Sequence, residues 1–376
     1  MVDGATRTSA GAMLVSDTRN IYPKLALLGV PASPMSGLLD DPKYTSFLAR
    51  THPNLDICSD RFVAPTYVAS FDISEVLISN FFKTVIAIAG HIAPRIPKPR
   101  ALFVGTPFER YEQTKLLDQI KDPGEAAHAL RHAATQQSLD LVVCTNVSVS
   151  HPGIQTWIDA GFLALPSFPD MVVDVKATSF EGHLANLAPR ARESIRRNLR
   201  LFDRAGFRLQ RLDETALSAA TLHTAYRQFY DRAIVRWHPY SESYFAEIAG
   251  LDERAHVTAA VTSSEEIVGF IINFADNNCW QAGRIGVVPS HFRKSAIYFR
   301  LLYHSIEEAI LHGAKTLSLE PTGYLTKRRL GAHMNPLVNL VLGVSPLWKM
   351  LFKTSGFLAR RALAHLEDRQ LLEAHY

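Results

Sequence analysis

Apolar and polar positions alternate in two rhythms along this chain. Short, nearly continuous apolar runs bounded by Pro, Gly and Asn recur as ALFVGTP (101–107), LDLVVCTNV (139–147) and KTLSLEP (315–321), and each predicts a buried strand. An earlier run, PKLALLGVPASPMSG (23–37), predicts a strand leading into a Pro/Gly-rich loop. Between them apolar residues return at three- and four-residue spacing, which predicts helices over Phe71–Ile92, Glu125–Gln137, Phe180–Ala205, Thr215–Arg232 and 292–312. The stretch HVTAAVTSSEEIVGFIINFADNNCWQAGRIGVV (256–288) predicts three strands in a meander, joined by a Ser-Ser-Glu-Glu turn and an Asp-Asn-Asn turn.

Antiparallel strands followed by a strand–helix–strand crossover build a mixed sheet, not a doubly wound parallel one. Both halves alternate strand and helix at similar lengths. The expected architecture is α+β: an N-terminal unit over 1–170, a C-terminal unit over 171–345, and a basic amphipathic helical tail over 346–376.

Composition narrows the class only a little. The 376 residues carry a net charge of +4, compatible with an anionic ligand but too small a bias to require one. The three cysteines, Cys58, Cys144 and Cys279, stand far apart and form no CxxC pair, so a reducing compartment and no cysteine-held metal are expected. The N-terminus lacks the apolar core of a signal peptide, and Asn80, Lys83 and His91 interrupt the most apolar stretch. A cytoplasmic location follows as an expectation. No Walker loop, HExxH motif, Ser/His/Asp pattern or Cys/His cluster is visible, so neither a metal nor a covalent nucleophile is expected.

Four stretches taken in order resemble the GNAT acyltransferases, and more narrowly the FemABX-like enzymes that carry two GNAT units in tandem. They are LAPRARESIRRNLRLFDRAGFRLQRL (187–212), EEIVGFIINF (265–274), the Ala-Gly-Arg-Ile-Gly run at 282–286, and YLTKRRLGAHMNPL (324–337). The resemblance implies tandem GNAT-like mixed sheets flanked by helices. It also implies transfer of an acyl or aminoacyl group from an activated ester to a primary amine, without a bound cofactor. One feature departs from the pattern. Where a GNAT loop carries glycines whose N–H groups cradle the CoA pyrophosphate, this chain reads FRKSAIYF (292–299), and Ile297 and Tyr298 should obstruct that cradle. FemABX enzymes take their acyl group from aminoacyl-tRNA. That donor is therefore preferred, with acyl-CoA on an altered loop as the alternative and a non-catalytic GNAT-like scaffold as a third reading.

The resemblance places Lys327 beside the reacting ester as an oxyanion-stabilising cation; Arg328 is its rival, and a solvated Lys-Arg-Arg run is the plain alternative. Tyr324 is a phenol donor or a half-buried core residue. Glu320, at the end of a strand, either serves the acceptor amine or pairs with an arginine. Arg293, Lys294 and Ser295 precede a helix N-terminus suited to an anion. The loop RWHPYSESYF (236–245) offers Trp237 and Tyr240 as pocket walls and His238 as a base, or merely ends one helix and caps the next. Gln281 and Arg284 are candidates for the acceptor cleft.

Arginines recur every four residues from Arg192 through Arg196, Arg200 and Arg204 to Arg208. This stripe suits a tRNA backbone, or is an ordinary solvated helix face. The expected partners are tRNA and a small-molecule or cell-wall-precursor amine. The tail PLWKMLFKTSGFLARRALAHL (346–366) adds a peripheral membrane contact.

Overall fold

The computed structural model describes residues 38–350 except 39–40, 53–54, 58–65, 73–86, 89, 92–95, 108, 110, 114, 119, 214–217, 233–238, 277, 289 and 291–294. The strand expected at the start of PKLALLGV, most of the helix expected over Phe71–Ile92, and the tail beyond 350 lie outside the described residues.

Among the described residues the strands form two mixed sheets, as the strand pattern predicts. The first has six strands in the order β1 (Asp56–Ile57), β2 (Thr66–Ser70), β3 (Arg100–Val104), β4 (Leu141–Ser148), β13 (Leu337–Gly343), β5 (Leu163–Pro166). Only the β3–β4 pair is parallel. The second has seven strands in the order β12 (His333–Asn335), β6 (Asp170–Asp174), β11 (Thr316–Ser318), β10 (Cys279–Val287), β9 (Ile267–Asp276), β8 (Ala255–Val261), β7 (Arg208–Leu212). Here only β10–β11 is parallel.

Ten described helices flank the sheets: α1 (Pro42–Thr51), α2 (Lys115–Asp118), α3 (Pro123–Gln136), α4 (Ile154–Asp159), α5 (Phe180–Ala185), α6 (Pro189–Arg204), α7 (Ala219–Tyr230), α8 (Glu242–Leu251), α9 (Ile297–Leu311) and α10 (Tyr324–Arg329). The single helix expected over 180–205 is two. Pro189 lacks an N–H and drives Ala188 into extended backbone (φ −59°, ψ 144°), so α5 stops and α6 restarts with the proline in its first turn. Arg208 stands on β7, beyond the helix, so the arginine stripe ends at Arg204.

The chain crosses between units twice. β6 begins the second sheet at Asp170, close to the expected boundary. After β12 the chain returns, and β13 inserts between β4 and β5 of the first sheet, so residues 337–343 belong structurally to the N-terminal unit and not to the segment 171–345. A seven-residue apolar strand paired on both sides suits a central position.

The interface between units is itself a core. Tyr44, Phe47, Tyr67 and Phe103 of the first unit pack in one cluster with Tyr226, Tyr240, Tyr244, Phe245 and Phe270 of the second. On the other face of the second sheet, Ile195 and Phe202 of α6 pack with Leu301 and Ile306 of α9.

The glycines of the 282–286 run are there for close approach. Pairing of β10 with β9 shifts register between Ala282 and Ile285, a bulge that turns Arg284. A Cβ on Gly283 would stand 3.0 Å from the Ile272 carbonyl oxygen; one on Gly286 would stand 2.9 Å from the Tyr226 nitrogen and 3.0 Å from the Ala225 carbonyl carbon. Because a Cβ at Gly286 would meet the buried Phe270 ring as well as backbone atoms of α7, Gly286→Ala is expected to push α7 off the sheet and cost about 1–3 kcal/mol, read as a lowered denaturant midpoint with an unchanged slope.

Candidate active site

The site lies where two parallel strands part. β10 and β11 are paired only from Cys279–Thr316 to Gln281–Ser318; beyond that point β10 continues to Val287 while the chain after β11 turns away. Arg284 sits in this fork. Its Nη1 donates to both oxygens of Glu320 at 2.8 and 3.1 Å, and its Nη2 donates to Glu109 Oε2 at 2.7 Å and to the Tyr240 hydroxyl. The Tyr240 ring lies under the guanidinium, 4.5 Å from Cζ to centroid. Tyr44 and Tyr240 donate to Glu109 Oε1 at 2.6 and 3.3 Å.

The cluster is nearly dry: side-chain exposure is 1% for Glu109, 7% for Arg284 and 13% for Glu320. Burial works against the arginine's charge, but Glu109 and then Glu320 overcome it and hold the guanidinium well above its ordinary value. Burial, reinforced by Glu109, raises the Tyr44 phenol well above its usual range; burial raises Tyr240 too. Both phenols stay protonated donors at neutral pH.

Glu109 comes from the N-terminal unit, in the loop after β3. Asn146, with φ 51°, pins that loop: its Nδ2 donates to the Glu109 carbonyl at 2.9 Å and its carbonyl accepts from Gln113 N at 2.9 Å. Gln113 spans the loop in turn, its Oε1 accepting from Thr106 N at 2.7 Å.

Glu320 comes from a turn with unusual backbone. Glu320, Thr322 and Gly323 have φ of +60°, +69° and +61°, a left-handed conformation that costs the two non-glycine residues of order 1–3 kcal/mol each. Lys327 holds this turn. It is 4% exposed, and its Nζ donates to the Glu320 and Pro321 carbonyls at 2.9 and 2.8 Å. The plain alternative, a solvated Lys-Arg-Arg run, therefore fails at its first member. α10 turns Arg328 and Arg329 outward and Lys327 inward. Tyr324 is buried in the second core, 4% exposed.

Asp170, at the start of β6, accepts from Ser318 Oγ at 2.8 Å, and Ser318 Oγ also accepts from Glu320 N at 3.3 Å. Burial pushes the Asp170 carboxyl up to about 7; the Ser318 hydrogen bond and Lys327 pull the other way. Gln281, at the last paired position before the fork, is buried, and its Oε1 has no hydrogen-bond partner among the described residues.

The structure thus brings together Glu320, Lys327, Arg284 and Tyr240 from the sequence candidates, with Gln281 at the mouth of the fork. His238, Trp237, Arg293 and Lys294 lie outside the described residues. Ser295 is buried, and Ala296 after it adopts φ 56°, ψ 23° at the head of α9. A left-handed residue therefore stands at this helix entrance without a glycine. Ile297, expected to obstruct the loop, points into the core instead, where Gly269 leaves it room: a Cβ at 269 would meet Ile297 Cγ2 at 2.6 Å. Tyr298 stacks on Phe229, ring centroids 5.9 Å apart.

Arg196 and Arg200 are on the exposed face of α6, and Arg196 pairs with Glu181 at 3.0 Å. With Arg192 they line an open depression of about 420 Å³. Glu109 and Asp170 were missed by sequence reasoning. Each is a single acid in a polar or Pro-rich segment, and nothing in its spacing marks it.

Two outcomes follow from this geometry. Lys327→Ala strands two buried carbonyls and is expected to destabilise by about 3 kcal/mol, while the exposed Arg328→Ala leaves the melt nearly unchanged; paired thermal and denaturant melts check both. Asp170 has a folded pKa raised from 3.8 to about 7, so its stabilising contribution is complete below the unfolded value and is lost as pH rises through 7. Wild type is expected to lose up to about 1.4 kcal/mol per pH unit between pH 4 and 7 relative to Asp170→Asn. Melts of both proteins across that window, giving parallel curves, would remove the assignment.

Comparison with known proteins matches one domain and the fold. Residues 189–325 match the family model described as an acetyltransferase (GNAT) domain. FemX is similar in structure, with a TM-score of 0.54 and 11% identity over 84% of this chain and 95% of that one. L-PGS from Bacillus licheniformis gives 0.51 and 12% over 86% and 97%. A conserved protein of unknown function from Bacteroides thetaiotaomicron gives 0.51 and 10% over 85% and 97%. At these identities the likeness is one of fold. No curated protein matches the chain in sequence. Residues 189–325 are thus matched as a GNAT domain, and the chain as a whole, with its two mixed sheets and forked parallel pair, shares the fold of FemX and L-PGS.

Proposed function

We propose that this chain is an N-acyltransferase that moves an acyl or aminoacyl group from an activated ester to a primary amine in one direct attack. The observation that carries the reading is the buried Glu109–Arg284–Glu320 cluster in the fork between β10 and β11. Past Gln281 the β11-facing edge of β10 has no ladder partner among the described residues, and an N–H group on that edge would suit a carbonyl oxygen as it gains negative charge. Two carboxylates share one guanidinium there, and the Lys327 ammonium is taken up by the backbone carbonyls of the turn, so the Glu320 carboxylate oxygens are the ones offered to an ammonium group. That group is either the acceptor amine or the α-amine of an aminoacyl donor.

In this reaction the neutral amine forms the new C–N bond, the ester C–O bond breaks, and the leaving alkoxide takes up the proton the amine gives away. Glu320, the more exposed of the two acids, is assigned to take that proton from the amine and hand it on to the leaving oxygen, ending the cycle ionised. Arg284 and Lys327 are positioning residues. Arg284 orients the Glu320 carboxylate, and Lys327 fixes the turn that presents it.

Aminoacyl-tRNA is the preferred donor. The arginine face of α6, with its depression at Arg192, Arg196 and Arg200, supports a phosphate backbone nearby, and the fold likeness to FemX points the same way. Acyl-CoA is the second reading, favoured by Ala296. Its left-handed backbone at the head of α9 lets a helix N-terminus face an anion without the family's glycines. The acceptor is a small-molecule or cell-wall-precursor amine. The tail over 346–376, basic and amphipathic in sequence, is assigned a peripheral membrane contact.

The test offers the protein aminoacyl-tRNA and acyl-CoA separately, with a panel of amines, and reads amide formation by mass spectrometry. Product from aminoacyl-tRNA alone supports the preferred donor, product from acyl-CoA alone reverses the preference, and no amide from either leaves only the scaffold reading. With the productive donor, Glu320→Gln is expected to lower kcat by about 100-fold or more. If tRNA is bound, Arg196→Ala with Arg200→Ala should reduce the slope of log affinity against log salt by about one to two.

A further inference from the structure

A second cluster of ligating side chains stands at the far end of α9. His304, Glu308 and His312 recur every four residues and so share one face of the helix's last turns. His256, on β8, faces them from the sheet. His256 Nδ1 lies 3.4 Å from Glu308 Oε2, and one ligand atom from each of His256, Glu308 and His312 lies within 4.8 Å of the other two. A tetrahedral ion with metal–nitrogen bonds of about 2.0–2.1 Å keeps its ligands about 3.3 Å apart. The His256–Glu308 pair already has that spacing, and His312, exposed on the last turn, can close the remainder by side-chain rotation.

The surroundings hold the rings as a metal site requires. His312 Nδ1 lies 2.9 Å from the Glu308 carbonyl oxygen. A carbonyl only accepts, so Nδ1 carries the proton and Nε2 keeps its lone pair for a ligand. Trp280 stacks on His312 (4.6 Å, 25°) and meets His256 edge-on (4.7 Å, 70°), fixing both imidazoles. Arg211, an exposed side chain on β7, rests its guanidinium against His256 Nδ1, so a cation already favours this position. His304 bonds Thr258 Oγ1 at 3.1 Å and stands 3.9 Å from Glu308 Oε1, within reach of a fourth position.

We propose that His256, Glu308 and His312 form a site for a divalent transition metal of the zinc class. Two imidazoles and one carboxylate suit zinc or cobalt, with the fourth position open to water or to His304. The site lies at the end of α9 opposite the fork, and a helix of 15 residues spans about 22 Å. Its effect is to tie the last turn of α9 to β8, independently of the transfer reaction.

The full chain, freed of any affinity tag and dialysed against chelator, is titrated with Zn²⁺ and with Co²⁺. One equivalent is expected to bind, with the strong visible absorption of tetrahedral cobalt and a raised melting temperature. His312→Ala, an exposed change that spares the fold, should weaken binding by about 100-fold or more, and His256→Ala should do the same if its circular dichroism stays native. Arg211→Ala, by removing a competing cation, should tighten binding. Absence of the cobalt bands and of a melt shift in wild type overturns the proposal. So does undiminished affinity in His312→Ala, or unchanged or weaker binding in Arg211→Ala.

Discussion

A guanidinium buried between two carboxylates sets the terms for the rest of this molecule. Taking Arg284 out of water costs several kcal/mol, and the cost is met only while Glu109 and Glu320 both stay in place. One partner belongs to each unit. The two sheets therefore cannot rotate against one another without exposing an unpaired buried charge, and the aromatic core of Tyr44, Phe47, Tyr226, Tyr240 and Tyr244 closes around the cluster. Tyr44 and Tyr240 complete the hydrogen bonding of Glu109, which a lone guanidinium could not do.

The fork that holds Arg284 is made by unequal strands. β11 has three residues and β10 nine, so the parallel pair ends early, and a bulge opposite β9 turns the arginine where the pair opens. Gly283 and Gly286 let β9 and α7 approach on either side of it. On the β11 side, three left-handed residues aim Glu320 back toward the fork, and the buried Lys327 ammonium ties two carbonyls of that turn. The strain of the turn is thus offset by charge-assisted hydrogen bonds several residues along the chain.

The helix α9 connects two kinds of chemistry. Its N-terminal end, with Ala296 left-handed before it, stands where an anion is favoured. Its C-terminal end, where the helix dipole is negative, carries the histidines and Glu308 that suit a cation. Buried Ile297, Leu301 and Ile306 along the same helix seat both ends on one sheet.

The sequence by itself determined the mixed-sheet architecture. Strand and helix periods are local properties, and the meander over 256–288, the strands at 101–104 and 141–148 and the helices α3 and α9 follow from them. It also determined that four residues merit notice: Arg284 and Lys327 through the family stretches, Glu320 through its place at a strand end, and Tyr240 through the polar-aromatic loop 236–245. Tertiary structure decided what each of them does. Lys327 reads as a surface cation until α10 turns it inward, and Ile297 reads as an obstacle until Gly269 makes room for it in the core. Three features carry no local sign at all: the return of β13 to the first sheet, the arrival of Glu109 from the other unit, and the meeting of His256 with Glu308 and His312 across 52 and 56 residues of sequence. Periodicity reports which face of an element is buried. Only packing decides which distant element buries it, because the free energy that selects the partner is gained between elements and not within them.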